Sequence, residues 1–136
     1  MDRYVNQDGA SFQPGKITLD VKFAAGSSGA VPTAIADYLI AAGIESMSLA
    51  ATGLYTVHLS DAYIRLTRGT FQVIQATYDA SHGCRGEVAV EDVDDASDPL
   101  VTFQCVRNDT GAAVAVTSGD IVCITLELQR MTGDIE

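Results

Sequence analysis

Residues 17–23, ITLDVKF, alternate without a break: Ile17, Leu19, Val21 and Phe23 fall on one side, Thr18, Asp20 and Lys22 on the other. Successive side chains of an extended chain point to opposite faces, so this is the pattern of a strand with one face buried. The same period returns near the other end, where Val122, Ile124, Leu126 and Leu128 oppose Cys123, Thr125, Glu127 and Gln129 within DIVCITLELQR (120–130). Between these two lie IESMSLA (44–50), LYTVHL (54–59), TFQVIQATYD (70–79), GEVAVEDV (86–93) and LVTFQCVRN (100–108), punctuated by Gly, Asp and Asn. Short strands at this spacing with polar turns predict a mainly all-β fold, an antiparallel β-sandwich or barrel-like domain, and argue against alternating βαβ units.

Three stretches break the pattern. AAGSSGAVP (24–32) reads as a flexible connector. TAIADYLIAAG (33–43) is expected to hold the one short helix, with Thr33 as N-cap, Ile35, Leu39 and Ala42 on one side and Gly43 as its stop. Ser60 is placed to cap a helical turn at DAYIRL, which would set Tyr63, Ile64 and Leu66 over an open end of the core. Asn108-Asp109-Thr110-Gly111 suits a turn with a positive φ angle. MDRYVNQDGASFQPGK has no period at all, so the chain divides into an N-terminal arm, residues 1–16, and a single β domain, residues 17–136.

Composition narrows the function. With 136 residues and 47% hydrophobic content the domain can bury a core without a metal or disulfide staple, while a charged fraction of only 19% suggests surface hidden between chains. Eighteen Asp and Glu against eight Lys and Arg give a net charge of −10, which repels phosphate backbones and argues against nucleic-acid binding. No run approaches the roughly 18–20 apolar residues that cross a bilayer. The opening Met1-Asp2-Arg3-Tyr4 is not that of a signal peptide, so synthesis in the cytoplasm and no membrane association are expected.

Candidate chemistry is sparse. The three cysteines, Cys84, Cys105 and Cys123, have no CxxC or Cys/His ligand spacing; Cys105 and Cys123 read as small core residues and Cys84 as exposed. EDVDDASD (91–98) is rich in carboxylates but lacks the glycine and terminal glutamate of a calcium loop. His58 and His82 have no serine, cysteine or carboxylate at a triad-like spacing, although distant residues can converge in a fold. No glycine-rich phosphate loop is present, tryptophan is absent, and Tyr4, Tyr38, Tyr55, Tyr63 and Tyr78 are scattered. The expectation is a non-enzymatic protein with no catalytic residues, no cofactor, no metal and no small-molecule substrate.

GIESMSLAATGLYTVHLSDAYIRL resembles a segment of small structural proteins of tailed bacteriophages, in which V-x-S-V-x-R-T-G-T-G-x-Y-T-V-x-L runs into an aromatic-containing turn and a further strand. The match takes in Ser46 to Leu59, Ser60 to Leu66 and Thr70 to Thr77, then Thr102 to Arg107 and Asp120 to Leu128. Leu49-Ala50-Ala51-Thr52-Gly53 replaces Arg-Thr-Gly-Thr-Gly, which keeps the turn and loses the basic residue. The chain thus looks like a capsid decoration, or cement, protein. That resemblance implies a homotrimer on the outside of the virion head that binds the major capsid protein and stabilises contacts between its subunits. Arg3, Tyr4 and Phe12 of the arm, with Tyr63, are the expected contact residues. The alternatives are a tail, neck or head-fibre component, or a carbohydrate-binding β-sandwich module, which the lack of an aromatic platform disfavours.

Overall fold

The computed structural model describes residues 15–32, 38–40, 42–79 and 83–130. Through them run β1 (Lys16–Ala24), β2 (Tyr38–Ile40), β3 (Ile44–Ala51), β4 (Leu54–Leu59), β5 (Arg65–Ile74), β6 (Cys84–Asp92), β7 (Leu100–Arg107) and β8 (Ile121–Gln129). They make two four-stranded sheets, β2-β1-β8-β5 and β3-β4-β7-β6, with every neighbouring pair antiparallel. Each sheet keeps two edges, so the architecture is a sandwich and not a closed barrel.

The alternation read from the sequence decides which face is inside. Along β8, Val122, Ile124, Leu126 and Leu128 are at most 1% exposed, and they pair in register with Phe23, Val21, Leu19 and Ile17 of β1. From the other sheet come Tyr55 and Val57 of β4 and Val101, Phe103 and Cys105 of β7, all fully buried. Four rings zigzag between the layers: Phe23 to Tyr55, Tyr55 to Phe71 and Phe71 to Phe103, with centroids 5.8, 5.6 and 5.7 Å apart and tilted planes. Tilted contacts at this distance suit the quadrupoles of aromatic rings and add about 0.5–1.5 kcal/mol per pair beyond area burial.

The connector after β1 is built into this core. Its residues Ser27–Gly29 form a 3-10 turn, and the buried Tyr55 hydroxyl donates to the Gly29 carbonyl. Burial pushes the Tyr55 phenol well above its ordinary pKa, which keeps it the proton donor that this carbonyl needs.

Three expectations are corrected. Within 33–43, Tyr38–Ile40 is a strand that pairs with Val21–Phe23, not part of a helix; residues 33–37 and 41, including Thr33 and Ile35, lie outside the described residues. β1 offers an unpaired ladder there, and three hydrogen-bonding residues on a sheet edge outweigh the helix propensity of a short alanine-rich stretch. Gly43, at φ 102°, turns the chain from the edge of one sheet to the edge of the other. Ser60 caps no helical turn: the chain crosses between the sheets there, held by Ser60 N–H to Gly43 O, Tyr63 N–H to Val93 O and Ile64 N–H to Gln129 O. The strand expected over 70–79 instead runs from Arg65 to Ile74, because β8 supplies a ladder along that whole length. Beyond it, the Ala76 N–H donates to the buried Asp120 carboxylate at 2.9 Å, tying this crossing to the β7–β8 connection.

Candidate functional site

The outward faces of the two sheets differ in chemistry. On β1, β8 and β5 most outward rows are charged or polar: Glu127 lies between Lys16 at 3.4 Å and Arg68 at 3.9 Å, and Thr125 donates to Asp20 at 2.8 Å, while the last row, Ala24, Ile121 and Ile74, is apolar, with Ile74 46% exposed. Cys123 stands in this solvated face between Lys22 and Gln72, half-buried and not in the core, since alternation with Val122 and Ile124 sends it outward.

The other sheet carries an uncharged row from edge to edge. Ser48 on β3, Thr56 on β4, Thr102 on β7 and Val90 on β6 are cross-strand neighbours, and Val90 is 48% exposed. The next row is Ser46, His58, Leu100 and Asp92, so its only carboxylate sits on the β6 edge. On the other side Leu54 pairs with Gln104, and Glu87 again occupies the edge. The middle of the row is itself buried, with Thr56 9% and Thr102 7% exposed, and its polar side chains meet partners within the chain. Thr56 and Thr102 share a hydroxyl contact of 3.3 Å, and the Gln104 amide donates to the Thr52 and Cys105 carbonyls at 3.1 and 2.9 Å.

This face also joins three residues that the sequence left apart. Ser48 Oγ lies 3.3 Å from His58 Nε2, and His58 Nδ1 lies 3.6 Å from Asp98 Oδ1. The order of atoms is that of a nucleophile, base and orienting acid. The geometry stops short of that chemistry: 3.6 Å exceeds a hydrogen bond, and the Asp98 side chain is 62% exposed, so water competes for it. Acyl transfer also needs donors aimed at the developing oxyanion. The central hydroxyls beside Ser48, those of Thr56 and Thr102, are already paired to each other. The arrangement acts as a polar contact on an open sheet surface. The register of β3 on β4, Ser46 opposite His58, brings Ser48 to the ring, that of β4 on β7, His58 opposite Leu100, brings Asp98, and no sequence spacing announces either.

The remaining expected site residues fall elsewhere. Tyr63 is 4% exposed and packs in the core, so its ring is committed to the fold and is not presented to a partner. Arg3, Tyr4 and Phe12 lie outside the described residues, as does His82. In the acidic segment, Asp95 Oδ1 accepts from both the N–H and the hydroxyl of Ser97 at 2.9 Å, which holds its carboxyl below the ordinary carboxylate pKa. Asp92 is raised, first by desolvation and then by the neighbouring carboxylates. No group of three His, Cys, Asp or Glu residues converges as a metal site among the described residues.

Cys84 and Cys105 are a pair that sequence spacing did not suggest. Cys84 opposes Arg107 and Cys105 opposes Gly86, so both thiols point inward two positions apart on neighbouring strands. Burial, followed by the neighbouring Cys84, pushes the Cys105 thiol up to about 12. Thiolate is the reactive form, so native protein treated with iodoacetamide at pH 8 is expected to leave Cys105 unmodified. The half-buried Cys84 and Cys123 are expected to alkylate, with Cys105 following only after denaturant is added. Peptide mass mapping checks the order, and early modification of Cys105 would show that its pocket opens.

No family model, curated protein or solved structure matches this chain.

Proposed function

We propose that the protein is a non-enzymatic structural component of a tailed-phage virion: a decoration protein, trimeric on the outside of the head, that clamps neighbouring major capsid protein subunits. The observation that carries the proposal is the resemblance of residues 44–128 to small phage structural proteins, and the residues that bear it make up much of the sandwich. The hairpin β3–β4 turns at Thr52-Gly53, the place the resembling pattern gives to its glycine-rich turn. A rigid sandwich suits a task of burying surface at subunit junctions, where affinity accumulates over linked copies.

Co-sedimentation with purified phage heads stripped of decoration tests the reading. Saturable binding in hundreds of copies per head, with raised resistance of the head to heat, is the expected result. Binding in about a dozen copies would point to a neck or fibre position on the symmetry axis, and none would end the virion-surface reading. A chain lacking residues 1–14 is expected to keep the fold and lose head binding, which would assign Arg3, Tyr4 and Phe12 to the contact.

A further inference from the structure

From the register of β6 on β7, we infer that Cys84 and Cys105 form a two-coordinate site for a soft monovalent metal ion, Cu(I), at the inner face of this strand pair. Cys84 stands opposite Arg107 and Cys105 opposite Gly86, so the two cysteines are diagonal neighbours on one face. That face is the core side: Cys105 is fully buried, and Cys84 packs, partly buried, against the core cluster. One step along, the Asn108 N–H donates to the Gly83 carbonyl at 3.0 Å, which puts both cysteines at non-hydrogen-bonded positions of the ladder. Side chains approach closest at those positions. Gly86 offers Cys105 no side chain across the ladder, and the Cys105 thiol donates a hydrogen bond to Cys84.

The spacing selects the ligand. A disulfide holds its two Cα atoms about 4.4–6.8 Å apart, whereas diagonal neighbours on adjacent strands stand roughly 7–8 Å apart. A metal ion between the sulfurs bridges the difference, since two metal–sulfur bonds of about 2.3 Å span up to ~4.6 Å. Zinc would ask for four ligands, and among the described residues no third His, Cys, Asp or Glu joins the pair. Cu(I) is soft, prefers thiolate and is content with two sulfurs in a line. Space and access are present. A cavity of about 30 Å³ adjoins Cys84, enough for one ion, and Arg107 and Asp120 both line it, so the fixed charges around it offset one another. A wider cleft of about 340 Å³, with Tyr78, Gly83, Cys84 and Asn108 on its walls, connects Cys84 to solvent. On binding, the ion displaces one proton from each thiol, both protons pass to water, and the two sulfurs become its ligands. The filled site ties the edge strand β6 to β7 and stabilises the fold by mass action.

The inference stands apart from the virion reading, since it concerns the inner face of one chain. The test is anaerobic titration of the reduced full chain with Cu(I) against a chromophoric Cu(I) chelator, with Cys84→Ser, Cys105→Ala and Cys123→Ser as variants. The wild type and Cys123→Ser are expected to take up one ion per chain, to show two sulfur neighbours by X-ray absorption, and to melt at a higher temperature when loaded. Cys84→Ser and Cys105→Ala are each expected to bind at least ~100-fold more weakly, because one thiol alone lacks the effective concentration of its neighbour. One equivalent of Cu(I) should also shield Cys84 from iodoacetamide while Cys123 still reacts. A wild type that loses every ion to the chelator, a variant lacking Cys84 or Cys105 that binds as tightly as the wild type, a complex of two chains per ion, or a third, non-sulfur ligand would each overturn the site. So would a Cys84–Cys105 disulfide that forms readily in oxidised glutathione, because the spacing that selects the ion would then be wrong. Cys84 is half-buried, so Cys84→Ser decides the matter if Cys105→Ala fails to fold.

Discussion

Gly53→Ala is expected to destabilise the fold by roughly 3–5 kcal/mol, among the largest effects a single methyl group can have. Gly53 turns the β3–β4 hairpin at φ 64°, and a Cβ there would lie 2.1 Å from the Val114 carbonyl oxygen and 3.1 Å from that of Cys105. Both obstacles are backbone. Val114 donates its N–H to Cys105 O, and Cys105 donates its own to Gly53 O, so the segment after Gly111 is laced against the hairpin tip and cannot retreat alone. Strain from the left-handed conformation accounts for about 1 kcal/mol of the loss, and the displaced backbone for the remainder. Gly111→Ala separates the two contributions, since Gly111 has φ 74° and an added methyl would meet nothing within 4 Å. Thermal unfolding should show a fall on the order of 15 °C for Gly53→Ala and about 4 °C for Gly111→Ala. Equal losses would mean that the hairpin tip yields easily.

Gly86→Ala tests the opposite case, steric conflict without a positive φ. Here a Cβ would meet Phe71 at Cγ, Cβ and Cδ1 at 2.2 to 2.4 Å. Those atoms are the root of the side chain, not its flexible end, so the ring cannot swing clear without moving β5. Phe71 also sits between Tyr55 and Phe103 in the aromatic zigzag, and displacing it disturbs both contacts. The expected cost is about 3–4 kcal/mol, read as a lower denaturant midpoint with an unchanged slope. Phe71→Leu in the same chain keeps Cβ and Cγ, so it should recover little of the loss, as a conflict at the root of the side chain requires. A single variant as stable as the wild type would show that β5 and β6 do not approach this closely in solution.

How much of this was legible beforehand follows from where the ordering forces lie. β1, β4 and β8 were visible because an uninterrupted period of two needs only the chain itself, and LYTVHL has the bounds of β4. Gly111 was visible as well, since Asn-Asp-Thr-Gly carries its turn preference locally. The strand Tyr38–Ile40 was hidden, because three residues next to alanines have no period of their own and become a strand only through the β1 ladder. Arg65 to Gly69 was hidden for a related reason: RLTRG is polar and broken by glycine, and β8 makes it a strand.

The candidate surface divides in the same way. Each strand's outward residues could be read from sequence, serines on β3, Thr56 and His58 on β4, Thr102 and Gln104 on β7. Nothing in the spacing says that β4 lies between β3 and β7, and that adjacency makes one uncharged row out of separate residues and draws Asp98 toward His58 across forty positions of chain. Local periodicity therefore determined the fold class and which side chains turn inward, since side-chain direction is a property of the extended backbone. Tertiary structure decided strand order, the close approach at Gly53 and Gly86 and the composition of the outer face, because these depend on which distant segments share hydrogen bonds.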